Sequence, residues 1–287
     1  MKAECVACGA HHNFEAVATF AWITLARCSV CGSLTSVPRP NEAEQFSRHD
    51  NADYYDHPYF QQRRVDQQQV DRRARIAIDH VASAVDVDSL KGSRYLDVGC
   101  DTGSFALAFA KQTGACPEGI DIAARAVAEA NRNGLKAVCA PLEGAPAEMT
   151  DYAVITATDV IEHLVDPVAF LAEVKRRLKP GGVLYFETPN VTSLVYAAGR
   201  LGGKVTGGRP RWVFERLFPS EHVQYFSRAG LRIAAERSGL TLVSCDERVL
   251  PSSDIAASPL VTAALAAMQA VDVLRGSEIL LCGVMRR

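Results

Sequence analysis

The 287-residue sequence has no run of roughly 18 apolar residues, which is the length that a membrane-spanning helix needs. Its first five residues, Met1 to Cys5, also lack the hydrophobic core of a secretory signal peptide. These two absences predict a protein with no membrane partner and no secretory route. The expected location is therefore cytoplasmic.

An excess of charge of one sign is also absent. The chain holds 31 lysine and arginine residues against 33 aspartate and glutamate residues, a formal net charge of −2. No global field attracts such a protein to the phosphates of nucleic acid, which is therefore disfavoured as a partner. With 48% hydrophobic and 22% charged residues, the chain can bury a large core. Its length suits one full domain with a small appendage.

The dinucleotide-binding pattern G-x-G-x-x-G is missing from the one stretch that otherwise suits a nucleotide. In that stretch, Arg94 to Phe105, a short apolar strand breaks into a glycine turn that opens directly into a helix. Gly99 and Gly103 let the backbone approach a ligand closely, and the N-terminus of the helix favours binding there. An NAD-dependent enzyme is disfavoured because the glycine spacing is wrong for one.

The turn reads Asp97-x-Gly99-x-x-x-Gly103, and it resembles the first motif of class I S-adenosylmethionine-dependent methyltransferases, (D/E)-x-G-x-G-x-G. The resemblance implies that Asp97 holds the methionine ammonium and that Gly99, Cys100, Asp101 and Gly103 pass beneath the cofactor. The sequence departs from the family at Asp101, which replaces the middle glycine. Aspartate tolerates a left-handed backbone better than most residues, so we expect the turn to form.

The order of the following segments extends the resemblance from about residue 54 to residue 239. Asp121 ends a second strand 22 residues after Gly99, where a Rossmann-like sheet places a carboxylate against ribose hydroxyls. The block over residues 159–190 looks like that of the ubiquinone-biosynthesis methyltransferases. The implied fold class is α/β, a Rossmann-like seven-stranded methyltransferase sheet.

The resemblance implies further cofactor contacts. These are Tyr54 or Tyr55 in the segment before the first helix, Ile122, Leu142 beside adenine, and Asp159 at the end of the fourth strand. For the two tyrosines the alternative is that they only pack the helix onto the sheet. The segment after the third strand lacks the aspartate often found beside adenine. Backbone groups and apolar packing would then bind that base.

Two histidines follow the region where ligands bind in open α/β sheets, the carboxyl ends of the strands. His163 has Glu162 beside it, and His222 has Glu221 beside it. Methyl transfer to a hydroxyl needs a base for the leaving proton, and histidine suits that task near neutral pH. Either histidine is a candidate base, and the alternative for each is a hydrogen-bonded structural histidine.

Four of the nine cysteines form two pairs, Cys5-Val-Ala-Cys8 and Cys28-Ser-Val-Cys31, with 19 residues between the pairs. Each pair is followed by glycine, which can take the positive φ of a tight turn. This spacing predicts a zinc ribbon over residues 1–40, in which four thiolates hold a structural Zn²⁺. The alternative is four buried or disulfide-bonded cysteines, which an intracellular chain disfavours.

The remaining regions complete the predicted organisation. Residues 41–90 are predicted to form a linker and an N-terminal helix covering the cofactor cleft, and residues 91–287 the methyltransferase domain. Residues 190–220 hold five basic residues against one acidic residue, together with five glycines, and predict a mobile lid that suits an anionic acceptor. A solvated basic loop is the alternative.

The Ala-rich piece over residues 255–274 predicts a helix that either packs on the domain or forms a homodimer contact.

These patterns predict an enzyme that transfers a methyl group from S-adenosylmethionine to a small-molecule acceptor. A ribbon followed by the Tyr54-Tyr55 segment and this domain resembles arrangements that act on sugars, polyketides or other secondary metabolites and glycan precursors, and the resemblance implies O-methylation of such an acceptor. One alternative is an rRNA or tRNA methyltransferase, because some of these also begin with a zinc ribbon. The fourth strand ends in Thr158-Asp159-Val160, not in an Asn/Asp-Pro-Pro-Tyr motif of base methylation, which disfavours that alternative. The other is a non-catalytic cofactor-binding adaptor.

Overall fold

The computed structural model describes residues 2–49, 66–249 and 278–287, together with five positions between 266 and 273. Tyr54 and Tyr55 lie outside the described residues, as does most of the Ala-rich piece. Among the helices that are described, none has both the length and the apolar character that crossing a bilayer requires.

The N-terminal forty residues fold into a ribbon of short antiparallel strands. Its strands are β1 (Lys2–Glu4), β2 (His11–Asn13), β3 (Glu15–Thr19), β4 (Thr24–Arg27) and β5 (Leu34–Val37). The glycines that follow the two cysteine pairs have positive φ, 73° at Gly9 and 77° at Gly32. The predicted role of glycine at these two turns is confirmed.

The main domain is built on a mixed sheet of seven strands. The strands that follow the ribbon are β6 (Arg94–Val98), β7 (Cys116–Asp121), β8 (Lys136–Cys139), β9 (Tyr152–Thr158), β10 (Leu178–Pro189), β11 (Gln224–Tyr225), β12 (Thr241–Arg248) and β13 (Leu280–Arg286). All but β11 belong to the large sheet, in the order β12-β13-β10-β9-β6-β7-β8. β13 runs antiparallel to both of its neighbours, whereas β6 to β10 are parallel. The predicted Rossmann-like sheet is confirmed.

Helices cover both faces of this sheet, which is why its central strands are apolar along nearly their whole length. The helices of the described residues are α1 (Glu42–His49), α2 (Gln67–Ala82), α3 (Ser104–Thr113), α4 (Ala124–Arg132), α5 (Pro167–Arg177), α6 (Leu194–Thr206), α7 (Arg211–Leu217) and α8 (Arg228–Ser238). One core cluster joins α2 and α3 to the sheet, and another joins α5 and α8 to its other side.

The ribbon is part of the domain, although its composition suggests an appendage. β11, which comes late in the chain, pairs antiparallel with β5 and forms the edge of a four-stranded sheet β11-β5-β4-β3. The next residue, Phe226, forms an isolated bridge with Asn190, which directly follows β10. A direct path of backbone pairing therefore leads from the ribbon to the carboxyl edge of the large sheet.

Residues 190–220 form two helices, α6 and α7, and the solvated-loop alternative is wrong. The reason is packing: Gly199 and Gly203 face the rings of Phe218 and Phe20. A Cβ at Gly203 would lie 2.3 Å from the Phe20 ring, which leaves no room for a larger residue there. Phe20 comes from the ribbon, and its ring centroid lies 5.3 Å from that of Phe218. Glycines here permit close contact between a helix and the ribbon instead of a flexible chain.

Two adjacent glycines of α6 test this packing. Gly203→Ala would drive a Cβ into the Phe20 ring. We expect this variant to lower the free energy of unfolding by about 1–3 kcal/mol, the usual cost of overpacking, although alanine normally favours a helix. In Gly202→Ala, the matched control, the Cβ would lie 3.6 Å from Phe214, an ordinary contact. Urea unfolding should show a loss in the first variant alone, and equal stability of the two would contradict the close contact.

Candidate active site

The turn after β6 has the backbone conformation that the sequence predicts. The φ angles are 73° at Gly99, 48° at Asp101 and 81° at Gly103, all in the left-handed region. A side chain at Gly99 would place its Cβ 2.7 Å from a methyl group of Val160, so only glycine fits there. Asp101 takes the left-handed conformation expected of it, and the turn leads into α3 at Ser104.

The carboxylate of Asp121 holds this turn in place. Its Oδ2 accepts a hydrogen bond of 2.9 Å from the N–H of Asp101, and its Oδ1 accepts one of 2.9 Å from the N–H of Ala123. β6 and β7 are parallel neighbours, so their carboxyl ends lie side by side. Asp121 thus stands at the edge of the sheet where the predicted ribose position lies.

Asp97 is buried near the end of β6, with 2% of its surface exposed. Its Oδ1 accepts a hydrogen bond of 2.6 Å from the hydroxyl of Thr156, which lies 2.9 Å from the hydroxyl of Tyr95. Burial raises the pKa of Asp97 to about 7, and this rise is opposed by the hydrogen bond from Thr156. A carboxyl in this state ionises readily when a cation binds beside it.

One cavity of about 430 Å³ lies at the carboxyl ends of the parallel strands. The predicted site residues that line it are Asp97, Gly99, Cys100, Asp101, Asp121, Ile122, Leu142, Asp159 and His163. Gly103 packs against Leu135 instead, and His222 does not line the cavity. Among its lining residues there is none from 190–220. A lid over the acceptor therefore stays a prediction.

Arg73 of α2 lines the cavity and was not predicted. Its Nη2 lies 3.3 Å from Oδ2 of Asp159 and 3.7 Å from Oε2 of Glu187. Its guanidinium also lies over the Phe105 ring, 5.7 Å from the centroid. The same helix contains two other arginines, and the sequence offers no sign of which one faces the cleft.

Helix α1, which the sequence predicts as linker, lines the same cavity through Glu42 and Gln45. It begins with a reciprocal capping box. The N–H of Glu44 donates to Oδ1 of Asn41 at 2.9 Å, and the N–H of Asn41 donates to the Glu44 carboxylate at 3.0 Å. The pattern Asn41-x-x-Glu44 is the sequence signal that predicts this helix start.

The segment after β8, residues 140–143, forms the wall of the cavity where adenine is expected. Arg177, fully buried at the end of α5, holds this segment and the chain that follows it. All five N–H groups of its guanidinium donate hydrogen bonds. The acceptors are the carboxylate of Glu173 and the carbonyls of Leu142, Ala145, Pro146 and Met149. The backbone position of Leu142 thus depends on a residue far from it in sequence.

His163 and His222 come together at the end of β9. Their ring centroids lie 4.6 Å apart, edge to face. Nδ1 of His163 lies 3.1 Å from the carbonyl oxygen of Glu221. Because a carbonyl can only accept, the neutral ring carries its proton on Nδ1 and its lone pair on Nε2. Of the two histidines, only His163 lines the cavity.

Glu162 lies next to this pair and is almost fully buried. The hydroxyl of Thr188 donates a 3.0 Å hydrogen bond to its carboxylate, and its own carbonyl accepts one of 2.9 Å from the N–H of Val223. Burial, together with the nearby carboxylate of Asp159, raises the pKa of Glu162 above its usual range. Through its backbone carbonyl, Glu162 connects the turn after β9 to the segment that carries His222.

The four paired cysteines also meet at one point. Sγ of Cys5 lies 3.8 Å from Sγ of Cys31, and Sγ of Cys8 lies 3.6 Å from Sγ of Cys28. These separations far exceed the roughly 2.05 Å of a disulfide, so disulfide pairing is not what brings them together. A tetrahedral Zn²⁺ with Zn–S bonds of about 2.3 Å sets its sulfurs about 3.8 Å apart, which this cluster matches.

Comparisons with known proteins agree with this geometry. The family model described as "Methyltransferase domain" matches residues 67–245. The ubiquinone biosynthesis O-methyltransferase of Neisseria meningitidis serogroup C (strain 053442) is 30% identical over 179 residues, which are 58% of this chain and 73% of that protein. The protein of the same name from Xanthomonas oryzae pv. oryzae (strain PXO99A) is 32% identical over 136 residues, 45% of this chain and 55% of that protein. The chain thus spans between about half and three quarters of these relatives.

The crystal structure of a SAM dependent methyltransferase from Archaeoglobus fulgidus has the same fold, with a TM-score of 0.53 and 19% identity. The match covers 80% of this chain and 100% of that one. Since the family model covers more than half of the residues, and the glycine turn, the strand order and the cleft are those of this fold, the chain belongs to the class I S-adenosylmethionine-dependent methyltransferases.

Proposed function

We propose that this methyltransferase acts on a hydroxyl oxygen of a small-molecule acceptor, which is a sugar, a polyketide or another secondary metabolite or glycan precursor. The observation that carries the proposal is His163 at the cavity wall, with its Nδ1–H directed at the carbonyl of Glu221. Its Nε2 then holds the lone pair that a hydroxyl acceptor needs in order to lose its proton. Both relatives described above are named O-methyltransferases.

The reaction is one displacement. The bond from sulfur to the methyl carbon breaks, the bond from the acceptor oxygen to that carbon forms, and the hydroxyl proton passes to Nε2 of His163. The positive charge of the sulfonium is lost in this step, so the protein acts mainly by aligning the groups and excluding water. We assign His222 a positioning role, since its ring packs against that of His163.

The cofactor contacts follow from the cavity wall. In our proposal, ionised Asp97 binds the methionine ammonium, Arg73 binds the cofactor carboxylate, and Asp121 binds the ribose hydroxyls. Adenine lies against Leu142 and the backbone beside it. Asp159 pairs with Arg73 and orients that guanidinium.

The basic residues of 190–220 support an anionic acceptor only in part. Arg200 donates to the carbonyl of Val191 and Arg211 pairs with Glu215, so both are committed within the segment. The other three basic residues, Lys204, Arg209 and Arg216, are exposed, and none of the five lines the cavity. An anionic acceptor therefore stays a prediction. A homodimer through the Ala-rich piece stays a prediction.

We also propose that Cys5, Cys8, Cys28 and Cys31 hold one Zn²⁺. Four thiolates close a tetrahedral shell, so the ion would stabilise the ribbon and take no part in methyl transfer.

Asp97 makes cofactor affinity depend on pH. Its pKa of about 7 in the free protein means that below this pH the carboxyl must lose a proton before it can pair with the ammonium. We expect affinity for the product, S-adenosylhomocysteine, to fall up to about tenfold per pH unit below 7 and to level off above it, with up to about one proton released on binding. Isothermal titration calorimetry in buffers of different ionisation enthalpy measures both quantities.

Two variants control this experiment. Asp97→Asn should bind weakly and without the pH slope, whereas Glu129→Gln, at a partly exposed position of α4 outside the cavity, should keep the wild-type slope. An affinity that stays constant from about pH 5.5 to 8 would show that Asp97 does not hold the ammonium.

The assignment of the base is tested with labelled S-adenosylmethionine and a panel of hydroxylated acceptors, including sugar nucleotides and polyketide phenols. His163→Gln should lower methyl transfer by about 10²–10⁴-fold, the usual contribution of a general base, with little change in affinity for S-adenosylhomocysteine. His222→Gln should lower it less. His11→Gln, in the ribbon with a side chain that is 80% exposed, should leave it unchanged. Full activity in His163→Gln would rule out this residue as the base.

The same assay separates the alternatives. Methylation of total RNA, with binding that weakens steeply as salt rises, would favour an RNA methyltransferase. Binding of S-adenosylhomocysteine without transfer to any acceptor in the panel would favour an adaptor.

Metal analysis tests the ribbon. Purified protein should contain about one zinc per chain, and Cys28→Ser should lose most of it and unfold at a lower temperature, because structural zinc supplies folding free energy. Cys116→Ser, at an exposed cysteine outside the ribbon, should keep both properties. The structural zinc site would be refuted if wild-type protein contained no zinc and its unfolding temperature did not rise when zinc was added.

A further inference from the structure

The ribbon and His163 are both hydrogen-bonded to a single segment, residues 221–227. On the ribbon side, the N–H of Ser36 donates a 2.9 Å hydrogen bond to the carbonyl of Val223. The hydroxyl of Thr35 lies 3.3 Å from the same carbonyl and accepts a hydrogen bond of 3.1 Å from Nε2 of Gln224. Strand β5 therefore holds both the backbone and a side chain of this segment.

The far end of the segment is tied to the second cysteine turn itself. The hydroxyl of Ser227 donates to the carbonyl of Cys31, and the N–H of Ser227 donates to Oγ of Ser33 at 3.1 Å. Both serines are almost fully buried. Any displacement of the cysteine turn would thus be transmitted directly to the start of α8 and the strand before it.

The near end of the segment reaches the cavity. The carbonyl of Glu221 lies 3.1 Å from Nδ1 of His163 and accepts a 2.6 Å hydrogen bond from Nε2 of Gln45 in α1. Two residues later, the N–H of Val223 donates to the carbonyl of Glu162. The same short segment that the ribbon holds is therefore the one that presents a carbonyl to the imidazole.

We propose that the ribbon is a positioning element of the methyl-transfer site. It holds the carbonyl of Glu221 against Nδ1 of His163 and so keeps the lone pair of that imidazole on Nε2, toward the cavity. This inference rests on the proposed role of His163 as the base. β11 has only two residues, and a strand of that length is not stable without a partner. Without β5, Glu221 would lose its fixed position and the two neutral tautomers of His163 would both be populated.

The test is the tautomer of His163, read from ¹⁵N chemical shifts of histidine-labelled protein, with the resonance assigned through His163→Gln. The wild-type ring should be protonated at Nδ1 in about nine molecules of ten or more, as one retained hydrogen bond implies. In the double variant Ser33→Ala/Thr35→Val, which leaves all four cysteines in place, the shifts of the two nitrogens should move toward each other as the tautomers mix.

The matched control is Ser29→Ala/Thr24→Val. It makes the same two chemical changes in the ribbon, at an exposed serine of the cysteine turn and at a threonine bonded to Thr19 within the ribbon. This control should keep the wild-type tautomer. Both double variants should keep about one zinc per chain and bind S-adenosylhomocysteine within about twofold of wild type, since the cofactor wall is built from other strands. If the double variant does not fold, Thr35→Val alone replaces it.

The outcomes distinguish the proposed role of His163 as the base from the proposed effect of the ribbon on its tautomer. A mixed tautomer in the ribbon variant supports the coupling even if His163→Gln proves fully active, a result that would remove the proposed base alone. A wild-type tautomer in a folded Ser33→Ala/Thr35→Val protein overturns the coupling, whatever acceptor is methylated. Once an acceptor is known, kcat should fall in the ribbon variant while the KM for S-adenosylmethionine stays the same.

Discussion

The two hydrogen bonds that Asp121 accepts determine how this cleft is built. The bond from the N–H of Asp101 connects the turn after β6 to the end of β7, and the bond from the N–H of Ala123 holds the turn that follows β7. Gly99 and Gly103 take the left-handed conformation without strain, but for Asp101 it is unfavourable and persists only where the surroundings hold it. A carboxylate that accepts from the backbone on both sides supplies that restraint. The same group lies where ribose hydroxyls are expected, so one residue both shapes and lines the cleft.

The two halves of the site differ in how far apart their parts lie in the chain. The cofactor wall comes mostly from one continuous run, residues 97–143, in which each strand is followed by its turn and helix. The wall around His163 is formed by the turn after β9 and is backed by residues 221–227, which pair with β5 of the ribbon. A local wall can form as soon as its strands pair. An assembled wall needs every distant contact in place, which is why a structural ribbon can matter to it.

This difference also explains what could be predicted from the sequence. The turn at Gly99, the position of Asp121 and the strands on either side follow from local patterns, and the structure has them where they were expected. The cysteine pairs carry their own spacing signal. Arg73 could not be identified, because the buried face of α2 mixes small and branched residues (Val70, Ala74, Ala77 and Val81), while the larger Ile76 and Ile78 are only partly buried. Composition then does not show which face of the helix turns toward the cleft.

Asp101 is the clearest departure from the family pattern, and its surroundings show why the departure is tolerated. Glycine is preferred at such a position for its left-handed backbone, yet aspartate adopts the same conformation at modest cost. Here the N–H of Asp101 is also bonded to Asp121, which offsets part of that cost. The substitution therefore adds a carboxylate to the cavity wall while the backbone at this position stays left-handed. In the proposed cofactor site, S-adenosylmethionine carries a sulfonium and an ammonium against a single carboxylate. The Asp101 carboxylate would therefore attract the net positive charge of the cofactor and favour its binding over that of the product, which is neutral overall.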